Sequence, residues 1–231
     1  MELNTFDLST LSYEQFIEYF FTKPEGELWD LDFDGRQFVL QKLTRPETIL
    51  HYLTQFFVEF RKLAEPLPLE TLDSGITAMF SGAYFQLQSV LWNNSLDLPE
   101  RIHCIRSMYR IFADFVANCK VEVLGACFYM WWDYICSSFW FEQTYERKLP
   151  TEDYNLLCEH DRMLLDAMFS TLVEILKLDD DRTQSYALHG LGHLHHPQVR
   201  AVVQEFINRR AAELQPDDLS WLEKCRDGTV M

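Results

Sequence analysis

Asp181-Arg-Thr-Gln-Ser-Tyr-Ala-Leu-His-Gly-Leu-Gly-His-Leu-His-His-Pro-Gln-Val-Arg-Ala-Val-Val-Gln-Glu-Phe-Ile-Asn-Arg-Arg210 is the stretch whose reading decides the fold. Ala187, Leu188, Leu191 and Leu194 recur at helical spacing in its first half. Val199, Val202, Val203, Phe206 and Ile207 do so in its second. Between them His195-His196-Pro197 forms a tight corner, since proline lacks an N–H and suits the first turn of a following helix. Gly190 and Gly192 fall inside the first helix, where glycine costs about 1 kcal/mol relative to alanine. A neighbouring helix approaching too closely for a side chain explains them best. The stretch predicts two helices folded around a short corner.

Working outward, other helix starts are marked as clearly. Ser12-x-x-Gln15 reads as a capping box, with Leu11 and Phe16 as a hydrophobic staple. Thr44-x-x-Glu47 reads as a second box, with Pro46 in the first turn and Leu50, Leu53, Phe57, Phe60 and Ala64 on one face. A helical stretch is expected from Leu69 to Trp92, softened by Gly75 and Gly82. Asp97-x-x-Glu100 opens a helix with an apolar stripe of Ile102, Ile105, Tyr109, Phe112, Val116 and Cys119. Residues 123–136 are apolar nearly all round and read as one buried helix carrying Trp131, Trp132 and Asp133. A loop at 137–150, a helix from a Thr151 cap to about Leu178, and a short segment opened by Pro216 complete the chain. No segment alternates as a half-buried strand does. The fold class is therefore all-α over 1–231 as one domain, either a solenoid or an irregular multi-helix bundle.

With its acidic cap, its Ala-Leu-x-x-Leu-Gly helix and its Pro-started second helix, the stretch at 181–210 resembles a HEAT-like repeat. The resemblance covers roughly the last third of the chain. It implies an α-solenoid and a binding role, and no chemistry. Arg106-Ser-Met-Tyr109, Cys127-Phe-Tyr-Met-Trp-Trp-Asp133 and Ala187-Leu-His-Gly-Leu-Gly-His193, in this order, look like a bacterial helical family of uncertain function. Toxin immunity proteins are the kind of function suggested for it.

Charge narrows the partners. The net charge of −16 repels nucleic-acid phosphate and anionic membranes, and it speeds association with a basic protein. Residues 1–34 hold nine acids and one base, and residues 151–181 hold nine acids and two bases. Clustering of this kind serves either as a solvated face or as a patch for a cationic partner. The residues expected to bind that partner are Asp30, Asp32, Asp34, Glu152, Asp153, Asp179, Asp180 and Asp181. Six cysteines without a C-x-x-C pair read as free thiols in a reducing cytoplasm. The N-terminus has no basic region followed by an apolar run, and no uncharged run reaches the roughly 20 residues of a membrane span.

Two constellations invite a metal, and both are incomplete. Asp30-Leu-Asp-Phe-Asp-Gly35 begins like a calcium loop, but position twelve is Gln41, which cannot give two carboxylate oxygens. It reads as an acidic turn. His189 and His193 share a helix face, with His195 and His196 near. Gly190 stands where a zincin has glutamate, so these read as structural histidines. Walker, dinucleotide, kinase and G-x-S-x-G motifs are absent. The expectation is a non-enzyme without metal or cofactor: an acidic helical protein that neutralises a basic partner, such as an immunity protein or antitoxin blocking the active site of a toxin, for example a nuclease. The alternatives are an intracellular HEAT-like scaffold that binds a peptide or enzyme, and a metal-dependent enzyme built on His189 and His193.

Overall fold

The computed structural model describes residues 7–22, 43–80, 87–119, 125–136 and 154–230. All regular structure among them is helical, and none of these helices is long and apolar enough to cross a membrane. The first half contains α1 (Tyr13–Phe21), α2 (Pro46–Ala64), α3 (Leu69–Phe80) and α4 (Leu98–Ser107). The second contains α5 (Gly125–Tyr129), α6 (Trp131–Cys136), α7 (Glu159–Leu176), α8 (Asp181–Leu194), α9 (Val199–Arg210) and α10 (Pro216–Asp227).

Local chemistry accounts for most boundaries. Ser12 and Gln15 close their capping box at the start of α1, with bonds of 3.3 and 3.0 Å. Asp97 caps α4 by accepting the Glu100 N–H at 3.1 Å. Asp180 caps α8 by accepting the Thr183 N–H at 2.8 Å. The left-handed residue His195 (φ 52°) then ends α8 and turns the chain into α9. Each cap satisfies backbone groups that a helix end leaves unpaired.

Several sequence expectations are corrected. Thr44 does not cap α2. Its N–H and hydroxyl are both donated to the Asp7 carboxylate, and Arg45 holds the cap position without a side-chain bond. The helical stretch expected from Leu69 to Trp92 holds α3 at Leu69–Phe80 and a 3₁₀ segment at Leu87–Trp92, with 81–86 outside the described residues. Beyond α4 the chain passes through a π-helical turn at Ile111–Phe115, and the face turned inward carries Cys104, Ile105, Met108, Ile111 and Phe112. Ile102 and Tyr109, expected on the core stripe, lie at its edge. Residues 123–136 do not form one helix, because a bend at Met130 separates α5 from α6. The long helix expected from Thr151 begins at Glu159 behind a Cys158 cap, and Thr151 lies outside the described residues.

The bend at Met130 sends two adjacent indoles to different neighbours. Trp131 enters an aromatic cluster, with Phe57 of α2 at 5.6 Å between ring centres, Phe80 of α3 at 4.8 Å and Phe128 of α5 at 6.3 Å. Its indole N–H is donated to the Met108 sulfur at 3.4 Å. Trp132 turns to α8 instead. A methyl group at Gly190 would lie 2.7 Å from Cβ and Cγ of Trp132, closer than carbon atoms can pack. Two residues on, toward the opposite side of α8, a methyl group at Gly192 would lie 2.5 Å from a Val230 methyl and 3.1 Å from the Cα of Cys225. The glycines thus seat α6 and the end of α10 against α8. Helix α8 is also packed on α7 and α9, so it is the central element of this half. Gly75 plays the same part in α3, where Phe21 of α1 fills the space of a side chain. The buried apolar side chains form one cluster running from Leu8 to Val230.

Gly190→Ala tests this crossing. On an open helix the change would stabilise by up to about 1 kcal/mol. Here the new methyl group meets the stem of Trp132, which cannot swing aside, and overpacking of that kind costs about 1–3 kcal/mol. Urea unfolding is expected to show net destabilisation. A stabilised variant would mean that Trp132 does not press on the α8 backbone.

Candidate functional site

The face of α8 that carries His189 and His193 points toward α5 and α6. Four residues separate the two histidines, so their rings stand one above the other. His189 is fully buried and stacks on the Tyr129 ring at 3.8 Å. Its Nδ1 lies 3.0 Å from the Tyr129 carbonyl oxygen. A carbonyl only accepts, so the hydrogen bond assigns a proton to Nδ1 and leaves Nε2 as an acceptor. The last carbonyls of a helix lack partners within it, which is why the end of α5 at the Met130 bend can serve here.

The Nε2 of His193 approaches the Nε2 of His189 at 3.2 Å. On its other side, His193 Nδ1 faces an Asp133 carboxylate oxygen at 3.5 Å. A polar relay therefore runs from Asp133 through His193 and His189 to the Tyr129 carbonyl. Its outer end is half-buried: the side chains of Asp133 and His193 are 30% and 24% exposed. Burial, and next the adjacent His193, push the His189 pKa down to about 4, against the opposing pull of the Tyr129 carbonyl. The Tyr129 hydroxyl, in turn, stands near Trp221 of α10.

The other two histidines of the sequence cluster do not join the relay. His195 ends α8 and packs beside Gly228, the left-handed residue that ends α10. His196 stacks on Phe169 at 4.2 Å and lies 3.0 Å from an Asp166 oxygen, and its Nδ1 accepts the Gln198 N–H at 3.2 Å. It fixes the α8–α9 corner to α7. Among the described residues, no group of three or more His, Cys, Asp or Glu side chains is arranged to hold a metal ion.

Of the residues expected to bind a basic partner, Asp30, Asp32, Asp34, Glu152 and Asp153 lie outside the described residues, as does the calcium-like loop. The remaining three sit at the α7–α8 corner with different duties. Asp179 is exposed. Asp180 is spent on capping α8 and stands 3.6 Å from Arg182. Asp181 projects outward but meets Arg210 at 3.0 Å. A larger acidic edge runs beside them. On the outward face of α7, Glu159, Asp166 and Glu174 are exposed around Met163, whose side chain is among the few large apolar groups left open to solvent. Sequence reasoning counted these acids but did not place them on one face. The i, i+4, i+7, i+11, i+15 spacing of Glu159, Met163, Asp166, Ser170 and Glu174 was the available signal.

Comparison with known proteins gives no match: no family model, no curated protein and no solved structure is significantly similar to the chain.

The His189 environment has a pH signature. Its folded pKa is depressed below the unfolded value of about 6.5. Between the two values the unfolded chain binds more protons at this residue than the folded one, so its contribution to stability rises with pH. Stability from this source is present above pH about 6.5 and is lost as pH falls toward 4. Unfolding titrations of wild type and His189→Gln are expected to show a shallower slope across this window in the variant. Identical slopes would contradict a buried, neutral His189.

Proposed function

We propose that this protein is a binding protein whose acidic helical surface captures a basic protein partner. The observation that supports the reading is the uncompensated charge. The chain has 36 acids against 20 lysines and arginines. Arg61, Arg110, Arg182, Arg200, Arg210 and Arg226 are already directed at carboxylates of their own chain. Each such pair consumes a base as well as an acid, so the surplus stays on the surface.

The face of α7 suits the first contact. Glu159 supplies attraction, Asp166 and Glu174 add exposed carboxylates that also meet His196 and Lys177, and Met163 supplies an adaptable apolar anchor in their midst. Asp179 extends this edge to the corner. Capture would be steered by charge and completed by steric blockade of the partner's own functional surface. A toxin that must hold phosphate carries a basic site, so an immunity protein or antitoxin against a nuclease is the form of the proposal that best uses this surface. The reading assigns the protein no catalysis, and free thiols such as Cys104 and Cys225 fit a reducing cytoplasmic setting.

A second reading, an intracellular HEAT-like scaffold, draws support from the consecutive packing of α7, α8, α9 and α10. Salt dependence separates the two. Co-purification with the basic product of a neighbouring gene, followed by association kinetics at rising ionic strength, is the test. Acid-steered capture is expected to lose on-rate about tenfold or more from low to high salt. The double variant Glu159→Lys/Glu174→Lys is expected to slow it further. An on-rate indifferent to salt and to these substitutions would favour the apolar groove of a scaffold, and absence of any basic partner would end the capture reading.

A further inference from the structure

We propose that His189 and His193 form a two-imidazole site for a divalent first-row transition ion, with Zn²⁺ as its simplest occupant. The two Nε2 atoms lie 3.2 Å apart. With Zn–N bonds of about 2.0–2.1 Å, nitrogens at this spacing subtend roughly 100° at a shared ion, near the tetrahedral angle. The ring planes are inclined at 72° and the ring centres lie 4.5 Å apart, so the rings meet edge to face and not end to end.

The outer contacts of both rings favour the same assignment. A histidine that ligates through Nε2 donates its Nδ1–H to a carbonyl or a carboxylate, which fixes its tautomer and strengthens it as a donor. The Tyr129 carbonyl does this for His189 at 3.0 Å, and Asp133 faces His193 Nδ1 at 3.5 Å. These two supports come from α5 and α6, while both ligands come from α8. An ion here would tie that corner to the central helix. Without metal, the Nε2–Nε2 hydrogen bond takes a proton from His193 Nε2; binding requires that proton to leave Nε2, either to His193 Nδ1 facing Asp133 or, from an imidazolium, to solvent.

Imidazole donors suit Zn²⁺, Cu²⁺ and Ni²⁺ and not the oxygen-seeking Mg²⁺ or Ca²⁺. Two protein donors leave the remaining positions of a tetrahedral ion to water or to a partner's side chain. The half-exposed side of His193 is where they would lie. The inference is independent of the capture reading, since it concerns a different face and needs no protein partner.

The test uses the metal alone. Full-length protein is stripped with a chelator, equilibrated with Zn²⁺ and separated from free metal, and bound zinc is measured by elemental analysis. Wild type is expected to retain one equivalent and to melt at higher temperature with Zn²⁺ present. Mg²⁺ should give neither effect. His193→Ala, at a half-exposed position, should keep the helical circular-dichroism spectrum and lose the bound zinc. His160→Ala, at an exposed histidine away from the pair, should retain it. Asp133→Asn should weaken binding about 10–100-fold. Failure of wild type to take up zinc, or retention of zinc by His193→Ala, would overturn the proposal.

Discussion

Trp132 packs directly on the backbone of α8 at Gly190, and much of the second half follows from that contact. Without a Cβ there, α6 can lie directly on α8. That contact holds Trp132 against α8, while Trp131, on the neighbouring face of α6, enters the aromatic cluster. The same seating brings Asp133 opposite His193 and the Tyr129 carbonyl opposite His189. A single missing side chain thus joins the packing of the core to the only histidine pair whose nitrogens meet among the described residues.

Energetic reasoning explains why this region is polar inside. A fully buried imidazole must have its N–H satisfied, or lose about 1–3 kcal/mol in desolvation. His189 meets that demand with the Tyr129 carbonyl, which stands at the end of a short helix. Trp221 of α10 stands near the Tyr129 hydroxyl on the far side of that ring. The corner histidines have a different task. His195 takes the left-handed turn, and His196 anchors the corner through Phe169 and Asp166.

Much of the fold was legible because caps and periodicity act locally. Ser12, Asp97 and Asp180 mark helix starts that the structure reproduces, and Gly190 and Gly192 announce close crossings. What was not legible depends on contacts distant in sequence. Thr44 looks like a cap until Asp7, 37 residues away, takes both of its donors. Residues 123–136 look like one helix until two adjacent indoles need separate neighbours. Asp133 faces His193, a partner chosen by the crossing of α6 and α8 and not by the local pattern. The acids on α7 were countable, but their common exposed face appears only once the direction of that helix is known.

The central position of α8 is most directly tested by native-state amide hydrogen exchange. Neighbours cover it through α6, α7, α9 and α10, so its inner amides, from about Leu188 to Leu191, should open only when the whole protein unfolds. The account predicts that their exchange free energy equals the global unfolding free energy from denaturant titration. Exchange of those amides through a local opening well below the global value, with α2 still protected, would contradict it.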